Sequence, residues 1–358
     1  MRLTQHIRRW LRLPTKVLSR TAPRERGPLT HVVILDGTMS SLQPGEETNA
    51  GLAYRLLCEV AGDARLSVWY EQGVQWTGWR NALDVIEGRG INRQIRRAYG
   101  FIASRYRPGD RIFLLGYSRG GYAVRSLAGV IDQVGLLKAQ HATERNIRDV
   151  YRHYQLSPDS RGARVFARRY CHDKSPIEAI CIWDCVKALG LRFPLLWRLT
   201  ESKHAFHNHH LGPSVKNGFH ALARDETRQA YEPILWQTDA AWTGRLTQMW
   251  FRGTHGDIGG QLGQFDKARP LANIPFVWLM EQAESCGLPL PVGWADRFEQ
   301  DPKAPSVGLM RGWAKMFVLR KRRKILRDPS EEIHPTAEET PVRWRPAKLL
   351  PIPRRAAG

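Results

Sequence analysis

The stretch that most constrains this chain is IFLLGYSRGGYAVRSLAGVI, residues 112–131. An apolar run of strand character ends in Gly116-Tyr117-Ser118-Arg119-Gly120, and a helical pattern follows at once. To turn from strand to helix in so few residues, the chain must hold Ser118 in a strained backbone conformation. The positions flanking it must be small, because neighbouring elements pass close by. A serine held this way projects its hydroxyl above the end of a sheet. The helix starting beneath it offers unpaired N–H groups and the positive end of its dipole. Gly116 and Gly120 are expected as the small residues of the turn, and Ser118 as a nucleophile. A tight strand-to-helix turn with an incidental serine is the plainer alternative.

A hydroxyl nucleophile needs a base, and the base needs a carboxylate to orient it. Behind an elbow of this kind the chain order is serine, acid, histidine. Asp184 closes the apolar run IEAICIWD, where a carboxylate would reach the top of a sheet. His255 lies in WFRGTHGDIGG, a Gly-rich loop just past another apolar run. Two carboxylates compete for the acid role. Asp257 sits too close to His255 in sequence to orient its ring easily and reads as a brace for the loop. Asp225, in FHALARDET, reads as a support. An oxyanion would be met by the N–H of Arg119 and by a second donor from the early loop LDGT, either Gly37 or Thr38. Asp36 would fix that turn through its carboxylate.

The surrounding pattern predicts the fold. THVVILDGT, RLSVWY, RIFLLGY, IEAICIWD (177–184) and LTQMWF (246–251) read as strands. Residues 48–61, 91–106 and 119–134 read as helices, the second of them stopped by Pro108-Gly109-Asp110. This alternation indicates an α/β fold with a mostly parallel sheet and helices on both faces. Together with the elbow it is read as α/β-hydrolase-like, with an inserted cap or loop region. His220 is expected to open a helix over HALARDE. Residues 186–244, rich in His, Trp and Pro, are expected as a cap-like insertion. The expected organisation is a basic N-terminal arm over 1–28, a catalytic domain over 29–300, and a basic helix with a Pro-rich tail over 301–358, packed on the domain.

Charge adds a second layer. The chain of 358 residues carries a net charge of +21, which draws it to anionic partners. Much of that charge is concentrated. Arg2, Arg8, Arg9, Arg12, Lys16, Arg20, Arg24 and Arg26 face a single Glu25 in the arm, and KMFVLRKRRKILR carries Arg320 to Lys324 without a break. In the arm, Leu3, Ile7, Trp10 and Leu11 share one helical face, the pattern of a short interfacial helix or of a frayed basic tail. The basic helix is expected to pack its apolar side on the domain, with weak attraction to anionic headgroups. Trp76 and Trp79 read as packing or as the lining of an acyl pocket. Five sparse cysteines argue against a disulfide framework. His204, His207, His209 and His210 read as a loop at a pocket rim, and no metal is expected. No secretory signal and no membrane span is visible. The expectation is a chain cytoplasmic in the producing cell, exported only by a specialised route.

Taken in order, LDGT, GDRIFLLGYSRGGYAVRSLAG, IWDCVKALG, FHALARDETR with EPILW, MWFRGTHGDIGG and the late EIHPT segment resemble the type VI secretion lipase effector (Tle) catalytic-domain family. That is a set of bacterial α/β hydrolases, several of them phospholipase-like. The resemblance implies Ser118 as nucleophile, Asp184 as acid and His255 as base. It also implies an ester substrate, a phospholipid above all, and no cofactor. Expected partners are an anionic membrane and an immunity or delivery protein, not nucleic acid. The chain departs from the family pattern in DGTMSS, at Cys185 and Lys187, and at Gly256. These changes line the mouth of the site and bear on substrate choice. Two rivals are a soluble small-ester hydrolase and a non-catalytic polyanion-binding protein on a hydrolase scaffold.

Overall fold

The computed structural model describes residues 17–18, 27–62, 64–73, 89–186, 210–309 and 319–338. Its strands are β1 (Val17–Leu18), β2 (Thr30–Leu35), β3 (Leu66–Glu71), β4 (Arg111–Tyr117), β5 (Ile177–Trp183), β6 (Asn217–Ala223), β7 (Arg245–Phe251) and β8 (Glu331–Ile333). They form one eight-stranded sheet in the order β1-β3-β2-β4-β5-β6-β7-β8. Strand β1 runs antiparallel to β3, and every other neighbouring pair is parallel.

Successive side chains of the central strands enter two different cores. Val33, Leu35, Ile112, Leu114, Ile180 and Ile182 join one. Val32, Ile34, Phe113, Leu115, Ala179 and Cys181 join the other. Both faces are therefore dry, which is why these strands read as continuous apolar runs rather than alternating ones. Full burial of a large apolar side chain stabilises by roughly 1.5–3 kcal/mol.

The helices are α1 (Asn49–Val60), α2 (Arg89–Ala103), α3 (Arg119–Gln133), α4 (Glu144–Leu156), α5 (Arg161–Tyr170), α6 (His255–Gly259), α7 (Arg269–Ser285) and α8 (Pro335–Glu338). Helices α2, α3 and α4 cover the first core, and α1 and α7 the second. Helix α1 starts where it does because the Thr48 hydroxyl accepts the Gly51 N–H at 3.0 Å.

Two expectations fail. HALARDE is not a helix opened by His220. Residues Asn217–Ala223 form β6, between β5 and β7. Alanine, leucine and arginine favour a helix locally, but a strand closed on both faces shows no alternation to contradict that preference. The stretch 186–244 is thus not wholly an insertion, since part of it lies inside the sheet. His220 is buried, and its Nε2 accepts the Cys185 N–H at 3.0 Å. Burial, then the charge of Arg125, push its imidazole down to about 3, so it stays neutral.

The second failure is the basic helix. Residues 319–327 form no helix; they carry one bridge residue, Arg320, and bend at Leu326, whose φ is 57°. They run along residues 227–232 as a strap, with an Arg228–Arg320 bridge and the bonds Gln229 N–H to Leu319 O and Lys321 N–H to Thr227 O. Six nearly consecutive charges leave little apolar stripe for a helix to bury, and pairing with a neighbouring loop satisfies the backbone instead.

Several expectations lie outside the described residues: the helical face of Leu3 to Leu11, Trp76 and Trp79, His204, His207 and His209, residues 310–318, and the tail beyond 338. All five cysteines are free. No helix among the described residues is long and apolar enough to cross a membrane.

Candidate active site

The site begins at the junction of β4 and α3. Ser118 stands between them with φ 57° and ψ −121°. A non-glycine residue held there stores about 1–3 kcal/mol of strain, and the surroundings must impose it. The Ser118 N–H is tied to Trp183 O at 3.0 Å. A Cβ at position 120 would lie 1.9 Å from Leu35 O, and one at position 116 would lie 2.7 Å from Gly120 O. Strand β2 thus passes so close to the start of α3 that only glycine fits at position 120, and the start of α3 itself leaves room only for glycine at position 116.

Strand β5 brings Asp184 to the same edge, with its N–H on Ala221 O of β6 at 2.8 Å. Strand β7 leads into α6, whose first residue is His255. Thr254 and Asp257 close a capping box around that helix start. Asp257 accepts Thr254 N–H at 2.7 Å, the Ser306 hydroxyl at 2.5 Å and Val307 N–H at 2.8 Å. Its carboxylate is saturated by the loop and does not reach the His255 ring. Asp225 accepts Gly253 N–H at 2.8 Å and steadies the entry to the same loop.

The structure brings three expected side chains together. His255 Nε2 lies 2.9 Å from Ser118 Oγ, and His255 Nδ1 lies 2.6 Å from Asp184 Oδ2. With the Nδ1 proton donated to the carboxylate, Nε2 is free to accept from the serine hydroxyl. All three residues are buried. Burial lowers the His255 imidazole below its ordinary value, against the hydrogen bond and charge of Asp184, which raise it. Burial alone would push the Asp184 carboxyl up. The charge of Arg323 outweighs it, with the hydrogen bonds from His255 and Arg323, and holds Asp184 well below the usual carboxylate range.

Sequence reasoning missed four residues here. Tyr231 packs on the His255 ring with centroids 4.6 Å apart, beside Tyr117 of the serine motif already noted, which stacks on that ring at 5.0 Å. Glu226 accepts the His255 N–H at 3.1 Å and is gripped by two Arg228 side-chain N–H groups at 2.9 and 2.6 Å. Arg228 in turn lies over the Tyr231 ring at 4.2 Å. Glu226, Arg228 and Tyr231 all fall in or beside ARDETR, so the segment was marked but not its parts. The fourth, Arg323, donates to Asp184 Oδ1 at 2.5 Å and Oδ2 at 2.8 Å. Its place in a basic run gave no signal.

The early loop passes beside the serine, since a Cβ at position 37 would lie 3.3 Å from Ser118 Cβ. Asp36 accepts Gly37 N–H at 2.7 Å, the Thr48 hydroxyl at 2.6 Å and the Tyr70 hydroxyl at 2.6 Å. Gly37 is therefore corrected as an oxyanion donor, because its N–H is already committed to Asp36. Thr38 N–H remains the candidate from this loop. Arg119, first residue of α3, has no acceptor within the helix for its N–H. Among the described residues, no group of three His, Cys, Asp or Glu side chains is placed to hold a metal ion.

Residues 30–282 match the family described as the T6SS phospholipase effector Tle1-like catalytic domain. An uncharacterized protein of Saccharomyces cerevisiae is 25% identical over 227 residues, which is 57% of this chain but 32% of that protein. The Tle1 effector solved bound to the VgrG spike is similar at 16% identity and a TM-score of 0.37, over 66% of this chain and 52% of the other. A thermophilic esterase of Thermogutta terrifontis gives 13% identity and a TM-score of 0.40, over 77% and 89%. The chain spans about a third of the yeast relative and half of the Tle1 chain. With its matched region covering well over half its length, the chain belongs to the Tle1-like phospholipase effector catalytic domain family.

Proposed function

We propose that this protein is a serine hydrolase of carboxylic esters, acting on phospholipids. Ser118 attacks the acyl carbonyl while His255 Nε2 takes the hydroxyl proton. The N–H groups of Arg119 and Thr38 meet the oxyanion. Collapse of the tetrahedral species breaks the ester bond, and His255 returns the proton to the departing alcohol. Water, activated by the same imidazole, then releases the fatty acid and restores Ser118. Asp184 holds the ring and balances the imidazolium that forms in each half.

The observation that carries this reading is the unbroken line from Ser118 Oγ, on a serine at positive φ, through His255 to Asp184. Family membership supports a lipid ester over other acyl compounds. Exposed Arg320, Lys321, Arg322 and Lys324 would add about 1 kcal/mol each at an anionic bilayer. The family description, and a relative solved on a secretion spike, support a delivery partner and export through it.

The test is fatty-acid release from vesicles of phosphatidylglycerol and phosphatidylethanolamine, comparing the wild type with Ser118→Ala. Release that falls at least roughly 10³-fold in the variant supports the reading. Equal release from both overturns the nucleophile. Hydrolysis of p-nitrophenyl butyrate without any release from vesicles keeps the serine hydrolase and rejects the phospholipid.

A further inference from the structure

Five consecutive basic residues, Arg320 to Lys324, lie in the strap, outside the region matched to the family. Four of them are exposed. Arg323 alone turns inward, and its side chain is 3% exposed. Burying a guanidinium is costly unless every face of it is met by charge or hydrogen bonds. Here the compensation falls on the two Nη groups, while the buried Nε has no hydrogen-bond partner. Nη1 donates to Asp184 Oδ1 at 2.5 Å and to Ala223 O at 2.9 Å. Nη2 donates to Asp184 Oδ2 at 2.8 Å and to Tyr231 O at 2.6 Å. The planar fork matches the carboxylate in a way an ammonium cannot.

We infer that Arg323 is a positioning residue of the reaction, reaching in from the strap to lock the Asp184 carboxylate and the Tyr231 loop around His255. The inference rests on the Ser118–His255–Asp184 mechanism proposed above. Its physical content is a count of lone pairs. Asp184 Oδ1 receives Ala223 N–H at 3.0 Å and Arg323 Nη1, while Oδ2 receives His255 Nδ1 and Arg323 Nη2. No lone pair is left over for an alternative rotamer, so Oδ2 stays aimed at the imidazole. The bond to Tyr231 O fixes the loop whose ring packs on His255. Elsewhere the strap is held through its backbone, with Gln229 N–H on Leu319 O, Lys321 N–H on Thr227 O, and the N–H groups of Leu326 and Arg327 on the Glu331 carboxylate. Its flanking ion pair, Lys321 with Glu232, is half exposed and contributes little.

Charge gives the arrangement a kinetic signature. The groups facing His255 are Ser118, Asp184, Glu226 paired with Arg228, and the rings of Tyr117 and Tyr231. Those facing Asp184 are His255, Arg323, Cys185 and the neutral His220. Arg323 is the cation in direct contact with Asp184. With it removed, the imidazole feels the carboxylate charge undiminished and protonates more readily. A group that only supported the fold would not move that titration.

The experiment uses the full chain and p-nitrophenyl butyrate, with folding checked by circular dichroism and thermal melting. Arg323→Met is expected to lower kcat roughly 10²-fold. It should also move the acid limb of kcat/KM up by about one pH unit. Arg323→Ala should regain activity in millimolar guanidinium, which refits the fork, while Ser118→Ala should not. Arg323→Lys should fall between wild type and Met, and Arg327→Met, at an exposed cation of the strap, should match wild type. A folded Arg323→Met with kcat within about 2-fold of wild type and an unmoved acid limb overturns the inference. If Met fails to fold, Lys decides: wild-type kcat and acid limb in Arg323→Lys overturn it equally. Ser118→Ala run in parallel separates the two failures. An active Ser118→Ala sinks the mechanism, whereas a dead Ser118→Ala beside an unchanged Arg323 variant sinks only the role given to Arg323.

Discussion

Two buried carboxylates flank the serine strand and have opposite fates. Asp36 follows β2 and Asp184 follows β5, with β4 and Ser118 between them. Each is at most 1% exposed. Burial pushes the Asp36 carboxyl up to about 6, against the hydrogen bonds of Thr48, Tyr70, Gly37 and Ser40. The same burial acts on Asp184, yet its carboxyl is held low. The difference lies in the partners. Asp36 receives only neutral hydroxyls and an amide, whereas Asp184 receives a guanidinium. Burial sets the cost of a charge, and a fixed counter-charge decides whether that cost is met. Asp36 is thus suited to shaping a loop, and Asp184 to standing as a permanent anion beside an imidazole.

One substitution made at both positions tests this contrast. Asp184→Asn cannot keep the His255 Nδ1 proton on an acceptor of full charge, and it leaves Arg323 buried and unpaired. We expect kcat to fall roughly 10⁴-fold. The variant should also lose about 3–5 kcal/mol in urea unfolding. Asp36→Asn keeps an oxygen for Gly37 N–H and presents its amide to the hydroxyls of Thr48 and Tyr70. It should lose no more than about 1 kcal/mol at low pH. Comparable losses of kcat in the two variants would show that the contrast in charge has no bearing on catalysis.

The two carboxylates also predict opposite pH slopes. The folded Asp36 carboxyl titrates at about 6, above its ordinary 3.8, so folding takes up a proton between those values. Its contribution is full below the lower value and is lost as pH rises through the upper one. Wild-type stability relative to Asp36→Asn should therefore decline by up to about 3 kcal/mol between pH ~4 and ~7. Asp184 is depressed, so its contribution is present above the ordinary carboxylate range and is lost as pH falls below it. Wild type relative to Asp184→Asn should accordingly gain stability on leaving acid. Urea titrations at several pH values read both slopes, and slopes of the same sign would undo the comparison.

How far the sequence reached follows the same physics. The turn at Gly116 to Gly120 was legible because a covalent constraint, strand to helix within a few residues, leaves few residue choices. Asp184 was legible because it ends an apolar run and His255 because it sits in a Gly-rich loop just past one, and the structure puts both within hydrogen-bond reach of their neighbours. Strand β6 was not legible. Its second face is covered by α7, so nothing in GFHALA alternates. Arg323 was hidden for a different reason. Inward and outward arginines are identical letters, and only the fold distinguishes the one that meets a buried carboxylate. Gly37 failed as a donor through a contact with its own neighbour, Asp36, which no spacing rule counts.

The smallest effect sharpens the comparison most, because it separates two jobs of one hydroxyl. Thr48 Oγ1 accepts Gly51 N–H to cap α1 and donates to Asp36 Oδ2. Thr48→Ala should cost about 1 kcal/mol from the cap alone. It should cost up to about 1 kcal/mol more from the bond to Asp36. Thr48→Ser should restore both. In the Asp36→Asn background the cap term must survive unchanged, since Gly51 is untouched, while the second term should shrink because a neutral amide replaces the carboxylate. A double-mutant cycle in urea measures that remainder directly. A coupling near zero would mean that the hydroxyls around Asp36 do nothing for its charge. The raised carboxyl would then be a matter of burial alone, and the loop carrying Thr38 would have to be held beside Ser118 by the packing of Gly37 against Tyr117 instead.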